Sequence, residues 1–179
     1  MRLKAGDDIK DFIVEDLMGK SIKLSDFRDK TVLLSFYRYA SCPLCNLRIH
    51  QLINIYDELK EEGLTLLSFF ESSKESMLDF FGKQQPPFSL IPDPERVIYK
   101  LYRVEHSIFK YVLGLLNGKL IKAIMTGFKI GKADNVKTMV PADFLIKDGK
   151  ILIAYYGKDI SDHLSIEIVK KTMQTLARK

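Results

Sequence analysis

Hydrophobic positions along this chain fall into two rhythms. Some stretches run apolar or alternate residue by residue, as strands do, while others repeat their apolar positions every three to four residues, as helices do. "DFIVEDLMGKSIKLSDF" (11–27) carries two short alternating runs around Met18-Gly19-Lys20 and predicts an N-terminal β-hairpin. "TVLLSFYRY" (31–39) and "LTLLSFF" (64–70) are continuous β-rich runs, the pattern of strands buried on both faces. Between them "PLCNLRIHQLINIYDELKEEG" (43–63) predicts one long helix. Pro43 suits its first turn, Leu44, Leu47, Leu52, Ile55 and Leu59 recur at helical spacing, and Gly63 fits the C-terminal cap. Strand, helix and strand make a βαβ unit.

Further along, "SKESMLDFFGKQ" (73–84) predicts a short helix capped at Ser73, and "PFSLIPDPERVIYKLYRV" (87–104) a strand, a proline-marked turn and another helix. "ADFLIKDGKILIAYYG" (142–157) reads as a hairpin around Lys147-Asp148-Gly149, and "SIEIVKKTMQTLARK" (165–179) as a closing amphipathic helix. The stretch from Ser107 to Met139 fits this scheme least and is read as a helical insertion. Phe109, Leu113, Leu116, Leu120 and Ile124 form an apolar stripe with Lys110, Lys119 and Lys122 off it, and Asn117-Gly118 divides the segment. The preferred reading is a helix packed on the domain or on a dimer partner; a membrane-surface helix is the alternative.

Composition narrows the class. A chain of 179 residues buries a substantial core, and 46% hydrophobic with 28% charged residues is ordinary for a globular domain. The formal charge of +5 is spread out, with no dense basic block, so no nucleic-acid partner is expected. No apolar run approaches the ~20 residues of a membrane span. "MRLKAGDDIKDF" meets charges at once, so no secretory signal is expected either.

The chain has two cysteines, Cys42 and Cys45, in "YRYASCPLCNLRIHQL" (37–52). A disulfide between them closes almost no loop and is a poor staple, which points to a reducing, cytoplasmic compartment and to reactivity or metal binding. Cys42 falls at or just before the first helical turn and Cys45 inside it, where unpaired backbone N–H groups carry the positive end of the helix dipole. Arg38 and Arg48 add positive charge nearby. The spacing puts both sulfurs on one helical face, within reach of each other. Zinc requires about four ligands, and His50, His106 and His163 are scattered, so neither metal nor cofactor is expected. Inert burial and a regulatory switch without turnover stay open beside redox chemistry.

"SFYRYASCPLCNLRIHQL", "FSLIPDPERVIYKLYRV", "GFKIGKADN" and "VPADFLIKDGKILIAYYGKDISDH" resemble, in order, segments of the peroxiredoxin-like branch of the alkyl hydroperoxide reductase/thiol-specific antioxidant family. The resemblance implies an α/β, thioredoxin-like fold: a central mixed β-sheet flanked by helices, with an N-terminal hairpin and a helical insertion at about 107–139 before the last hairpin. All of it is expected in one domain, 1–179. It also implies an antioxidant oxidoreductase whose partners are a hydroperoxide or protein disulfide and an external thiol reductant such as a thioredoxin-type protein, with a homodimer left open.

This sequence departs from the family at the sulfurs. If Cys45 is matched to the peroxide-attacking cysteine, the family's hydroxyl position holds Cys42 and its proline position holds Arg38. The position of the arginine expected before the last hairpin holds Pro141, which is similar to the cis proline of thioredoxin-type proteins; Val140-Pro141 is therefore a candidate cis bond. Two modes follow. As a peroxidase, Cys45 attacks and condenses with Cys42, with Arg38 or Arg48 replacing the missing arginine. As a thiol–disulfide reductase, the more exposed Cys42 attacks and Cys45 releases the product. A redox-responsive interaction module is the non-enzymatic alternative. Lesser candidates are Asp159, Asp162 as a cap or turn residue, His163 as a base, and Glu71, more simply a solvated loop carboxylate. "GKADN" (131–135) lacks a phosphate-loop pattern.

Overall fold

A computed structural model of the chain describes residues 1–81, 85–116, 118–125, 127, 133, 135 and 137–177. Five strands form one sheet in the order β5-β4-β3-β6-β7. The two apolar runs become β3 (Thr31–Phe36) and β4 (Leu64–Phe70), paired in parallel from Thr31↔Leu64 to Phe36↔Phe69. β5 (Ser89–Pro92) extends the parallel half, whereas β6 (Ala142–Lys147) runs antiparallel to β3 and β7 (Lys150–Tyr156) antiparallel to β6. The sheet is therefore mixed. The 142–157 hairpin turns at Asp148 and Gly149, both with positive φ (51° and 73°), as a tight two-residue turn requires. The N-terminal hairpin forms a separate two-stranded sheet of β1 (Ile13–Glu15) and β2 (Ser21–Lys23), its turn held by the Asp16 carboxylate on the Met18 and Lys20 amides.

Two apolar layers cover the two faces of the five-stranded sheet. One holds Phe12, Phe36, Phe69, Tyr99, Tyr102 and Phe144, in which the Phe36 and Phe69 rings stack 4.9 Å apart. The other holds α1 (Pro43–Ile53), α2 (Tyr56–Glu61) and α7 (Ile166–Ala177) through Leu44, Ile49, Leu52, Leu59, Val169 and Met173. α3 (Lys74–Phe81) begins as expected, with the Ser73 hydroxyl accepting from the Ser76 amide. At α4 (Val97–Leu101) the cap is instead Asp93, whose carboxylate takes the Val97, Ile98 and Tyr99 amides.

Two expectations need correction. The predicted 43–63 helix is broken after Ile53: the Asn54 amide still reaches His50 O, but Ile55 leaves helical geometry (φ −123°, ψ 0°) before α2 starts. The Ile53-Asn54-Ile55 sequence explains the break, since β-branched side chains and asparagine are poor in helix interiors. The insertion divides into two helices, α5 (Ile108–Leu116) and α6 (Lys119–Met125), as the Asn117-Gly118 signal suggests, but most of its stripe faces outward: Phe109 is 77% and Leu116 79% exposed, and Leu120 alone of the five packs against the core. α5 packs through the opposite side, where Gly114 lies so close to Ile160 that an added Cβ would sit 2.4 Å from Ile160 Cγ1. The Lys122 side chain, Asn117 and most of "GKADN" lie outside the described residues. So does most of "GFKIGKADN".

Candidate active site

The loop from β3 to α1 is anchored before it reaches the sulfurs. The Tyr37 amide donates to Phe69 O at 2.9 Å, and the buried Tyr99 hydroxyl lies 2.8 Å from both Tyr37 O and Phe69 O and shares its one proton between them. Glu71 N closes the next rung on Arg38 O, and Ser72 Oγ accepts from the Ala40 amide at 2.8 Å. At the far end, Asn46 Nδ2 donates to Ala40 O (2.7 Å) and Cys42 O (2.9 Å). Both ends of the loop are thus fixed by buried hydrogen bonds, which holds Cys42 at the mouth of α1.

Cys42 is the N-cap residue, extended at φ −73° and ψ 118°, and Pro43 opens the helix, where its missing N–H costs nothing. Cys45 is in the first turn, and both thiols are free. Arg38, 3% exposed, points one guanidinium nitrogen at Cys42, with Nη1 to Sγ 3.4 Å. Its Nη2 donates to Lys137 O, and the group lies over the rings of Tyr39 (5.0 Å) and Tyr111 (5.5 Å).

These surroundings act oppositely on the two thiols. Burial pushes the Cys42 thiol up. The Cys45 S–H hydrogen bond, the Arg38 charge and the Leu44 and Cys45 amides at the helix mouth outweigh that and bring it down to about 6. For Cys45, burial, donation of its proton to Cys42 and the neighbouring thiolate charge all raise the thiol well above its ordinary range. One sulfur is built to carry the charge and the other to carry the proton.

Access differs from expectation. Cys42 is not the more exposed thiol, for it is 0% and Cys45 1% exposed. Arg38 lies against Cys42 Sγ, and the insertion packs on the same apolar layer: Ala123 of α6 is buried in it with both sulfurs, and Tyr111 and Leu120 pack against that layer. A cleft of about 270 Å³ runs beside α1, lined by Leu44, Leu47, Arg48, Gln51, Lys119 and His163, but neither sulfur lines it.

Of the supporting residues, Arg38 reaches a sulfur and Arg48 does not: its Nη2 donates to Leu164 O at 2.7 Å. Pro141 lies one residue before the Phe36↔Ala142 rung, beside the strand end from which the cysteine loop leaves, and its carbonyl accepts from Gly157 N. No cis peptide bond occurs among the described residues, so Val140-Pro141 is trans rather than cis. Glu71 is fully buried, not a solvated loop carboxylate. Asp162 is the turn residue expected, accepting from Tyr155 Oη and Lys158 N at 2.8 Å. Asp159 likewise holds its turn by accepting from Ser161 N and Oγ.

His163 has a partner that sequence reasoning missed. Asp143, buried near the start of β6, lies 3.0 Å from His163 Nδ1 and accepts from Leu164 N at 2.7 Å. Burial opposes ionisation of Asp143, but His163 and Arg48 more than offset it and hold the carboxyl below its usual range. A lone acid in an otherwise apolar strand, "ADFLIK", was the available signal. No group of three or more potential metal ligands occurs among the described residues. Among them, too, no helix is long and apolar enough to cross a membrane.

Comparison with known proteins agrees with this architecture. A Buchnera aphidicola protein provisionally named peroxiredoxin bcp is 35% identical over 89% of this chain and 98% of its own length. The thiol-disulfide oxidoreductase ResA of Bacillus subtilis is 26% identical over 73% of this chain and 79% of its own. The fold matches that of Peroxidoxin BcpB from Mycobacterium tuberculosis with a TM-score of 0.69 at 18% identity, covering 99% of this chain and 98% of that one. The AhpC/TSA family model matches residues 5–154, and the chain belongs to that family.

Proposed function

We propose that the chain is a thiol-dependent oxidoreductase that reduces hydroperoxides, with Cys42 as the attacking sulfur and Cys45 as the resolving one. The observation that carries this order is the opposed electrostatics of the pair, with Arg38 held 3.4 Å from Cys42 Sγ. The Cys42 thiolate attacks one peroxide oxygen and the O–O bond breaks; the sulfur becomes a sulfenic acid and the other oxygen leaves as alcohol or water after taking a proton. The Cys45 sulfur then displaces water from the sulfenic acid and the disulfide forms. Two electrons from an external dithiol, such as a thioredoxin-type protein, restore both thiols. Arg38 supplies the positive charge that the family places at the position of Pro141. We place the protein in the cytoplasm, where such donors keep the pair reduced. Because both sulfurs are buried, each turnover begins with their uncovering.

A second reading is thiol–disulfide exchange, favoured by the same low Cys42 thiol. There Cys42 forms a mixed disulfide with the substrate and Cys45 releases it. Hydroperoxide consumption driven by a thioredoxin-type donor is expected of the native chain and lost in Cys42→Ser. Disulfide reduction without peroxide consumption selects the second reading, and failure of both reactions overturns the enzyme.

A further inference from the structure

Arg96 stands at the start of α4 with its backbone in the left-handed region, φ 57° and ψ 38°, which side chains other than those of asparagine and aspartate rarely adopt. No protein group offsets that strain. Among the described residues the Arg96 guanidinium makes no hydrogen bond, ion pair or ring contact, and its Nε is buried without a partner. Strained positions of this kind collect at functional sites. The side chain lines a cleft of about 350 Å³ together with Lys100, Val104, Glu105, His106 and Met139. Met139 belongs to the apolar layer on the opposite face of the sheet from the sulfurs, so the cleft stands apart from the cysteine pair.

Charge and shape select the ligand. Lys100 lies one turn after Arg96, its amide bonded to Arg96 O, and its ammonium donates to Glu95 O at 3.2 Å, which leaves two donors unspent. The acids nearby are occupied or turned away. Glu105 is paired with Arg2 and, at 3.0 Å, with Lys110. The Asp93 carboxylate takes the Val97, Ile98 and Tyr99 amides, so the first turn of α4 has none of these to offer a ligand. Neither Asp93 nor Glu95 lines the cleft. Two cations without a paired acid match a dianion, and the arginine fork matches the oxygens of a phosphate. Val104 and Met139 add an apolar wall for the group that the phosphate carries. We propose that this cleft binds a small phosphate monoester, its phosphate on Arg96 and Lys100 and its organic part against Val104 and Met139. This holds whichever oxidant Cys42 takes.

The test is a nuclear magnetic resonance titration of the full reduced chain with glycerol phosphate, inorganic phosphate and glycerate at physiological ionic strength. Glycerol phosphate should bind saturably, with shifts centred on Arg96, Lys100 and His106, and more tightly than either of the other two. Arg96→Gln should weaken it about tenfold, and Lys100→Gln about threefold. Arg96→Gly should abolish binding yet leave the chain at least as resistant to denaturant, because glycine adopts φ 57° without strain. No saturable binding, equal binding of glycerate, or an affinity indifferent to Arg96→Gln overturns the proposal. Inorganic phosphate bound as tightly as the monoester also overturns it and assigns the cleft to the free ion. So does an Arg96→Gly chain markedly less stable than the native one, which would make the arginine a part of the fold.

Discussion

Replacing Arg38 by methionine tests how much of the Cys42 activation comes from one side chain. The guanidinium Nη1 is 3.4 Å from Cys42 Sγ, and Arg38 is buried, so solvent screens the pair poorly. Unit charges at that separation attract by about 5 kcal/mol at an effective dielectric of about 20, before the cost of desolvating them is subtracted. An opposite charge at this range lowers a thiol pKa by about 1–3 units. Arg38→Met should therefore move the Cys42 midpoint from about 6 to roughly 8. At pH 7 the thiolate fraction would fall from about nine-tenths to about one-tenth. The overall rate is a poor readout, because a more basic thiolate is also more nucleophilic and recovers much of the loss. The assay is thus the pH profile of Cys42 alkylation, or far-ultraviolet thiolate absorbance, in a Cys45→Ser background for both forms. A midpoint unchanged by Arg38→Met refutes the reasoning and assigns the activation to the hydrogen bond from position 45 and the helix-mouth amides.

Three further outcomes follow from the same geometry. Asp143→Asn should cost about 3 kcal/mol in chemical denaturation, because it strips a buried partner from His163. The folded-state pKa of Asp143 is depressed, so its stabilisation is complete above the unfolded value near 3.8 and is lost as pH falls through the folded value; the variant should show a flatter acid limb. Gly114→Val should lift α5 off Ile160, costing about 1–3 kcal/mol, and should speed alkylation of the covered thiols if α5 and α6 form the lid. Linkage at Cys42 has the same sign as at Asp143: its contribution is present above the unfolded thiol value and fades as pH falls through about 6, readable as a loss of stability absent from Cys42→Ser.

Much of this architecture could be read in the sequence, because buried strands and cysteine spacing leave strong local signals. "TVLLSFYRY" and "LTLLSFF" are too uniformly apolar to be anything but central strands, and the helix they flank had to begin at Pro43. What periodicity could not say is which neighbour an apolar face meets. The Phe109–Ile124 stripe has the spacing of a core face, yet α5 packs through Gly114, since the absence of a side chain is what allows close approach to Ile160. The burial of Glu71 and the Asp143–His163 pair were hidden for a related reason. They depend on contacts between residues far apart in the chain, here 20 positions for Asp143 and His163. The order of attack also lay beyond motif matching. Matching Cys45 to the family's attacking cysteine left both orders open, whereas the reach of Arg38 favours Cys42.

The attacking sulfur is identified most directly by locating the sulfenic acid. Reduced Cys45→Ser and Cys42→Ser are each given one equivalent of hydroperoxide with a sulfenic-acid trapping reagent, and the adduct is mapped by mass spectrometry. We expect rapid labelling of Cys42 in Cys45→Ser and little reaction in Cys42→Ser. Rapid labelling of Cys45 in Cys42→Ser, with Cys45→Ser inert, would contradict the account.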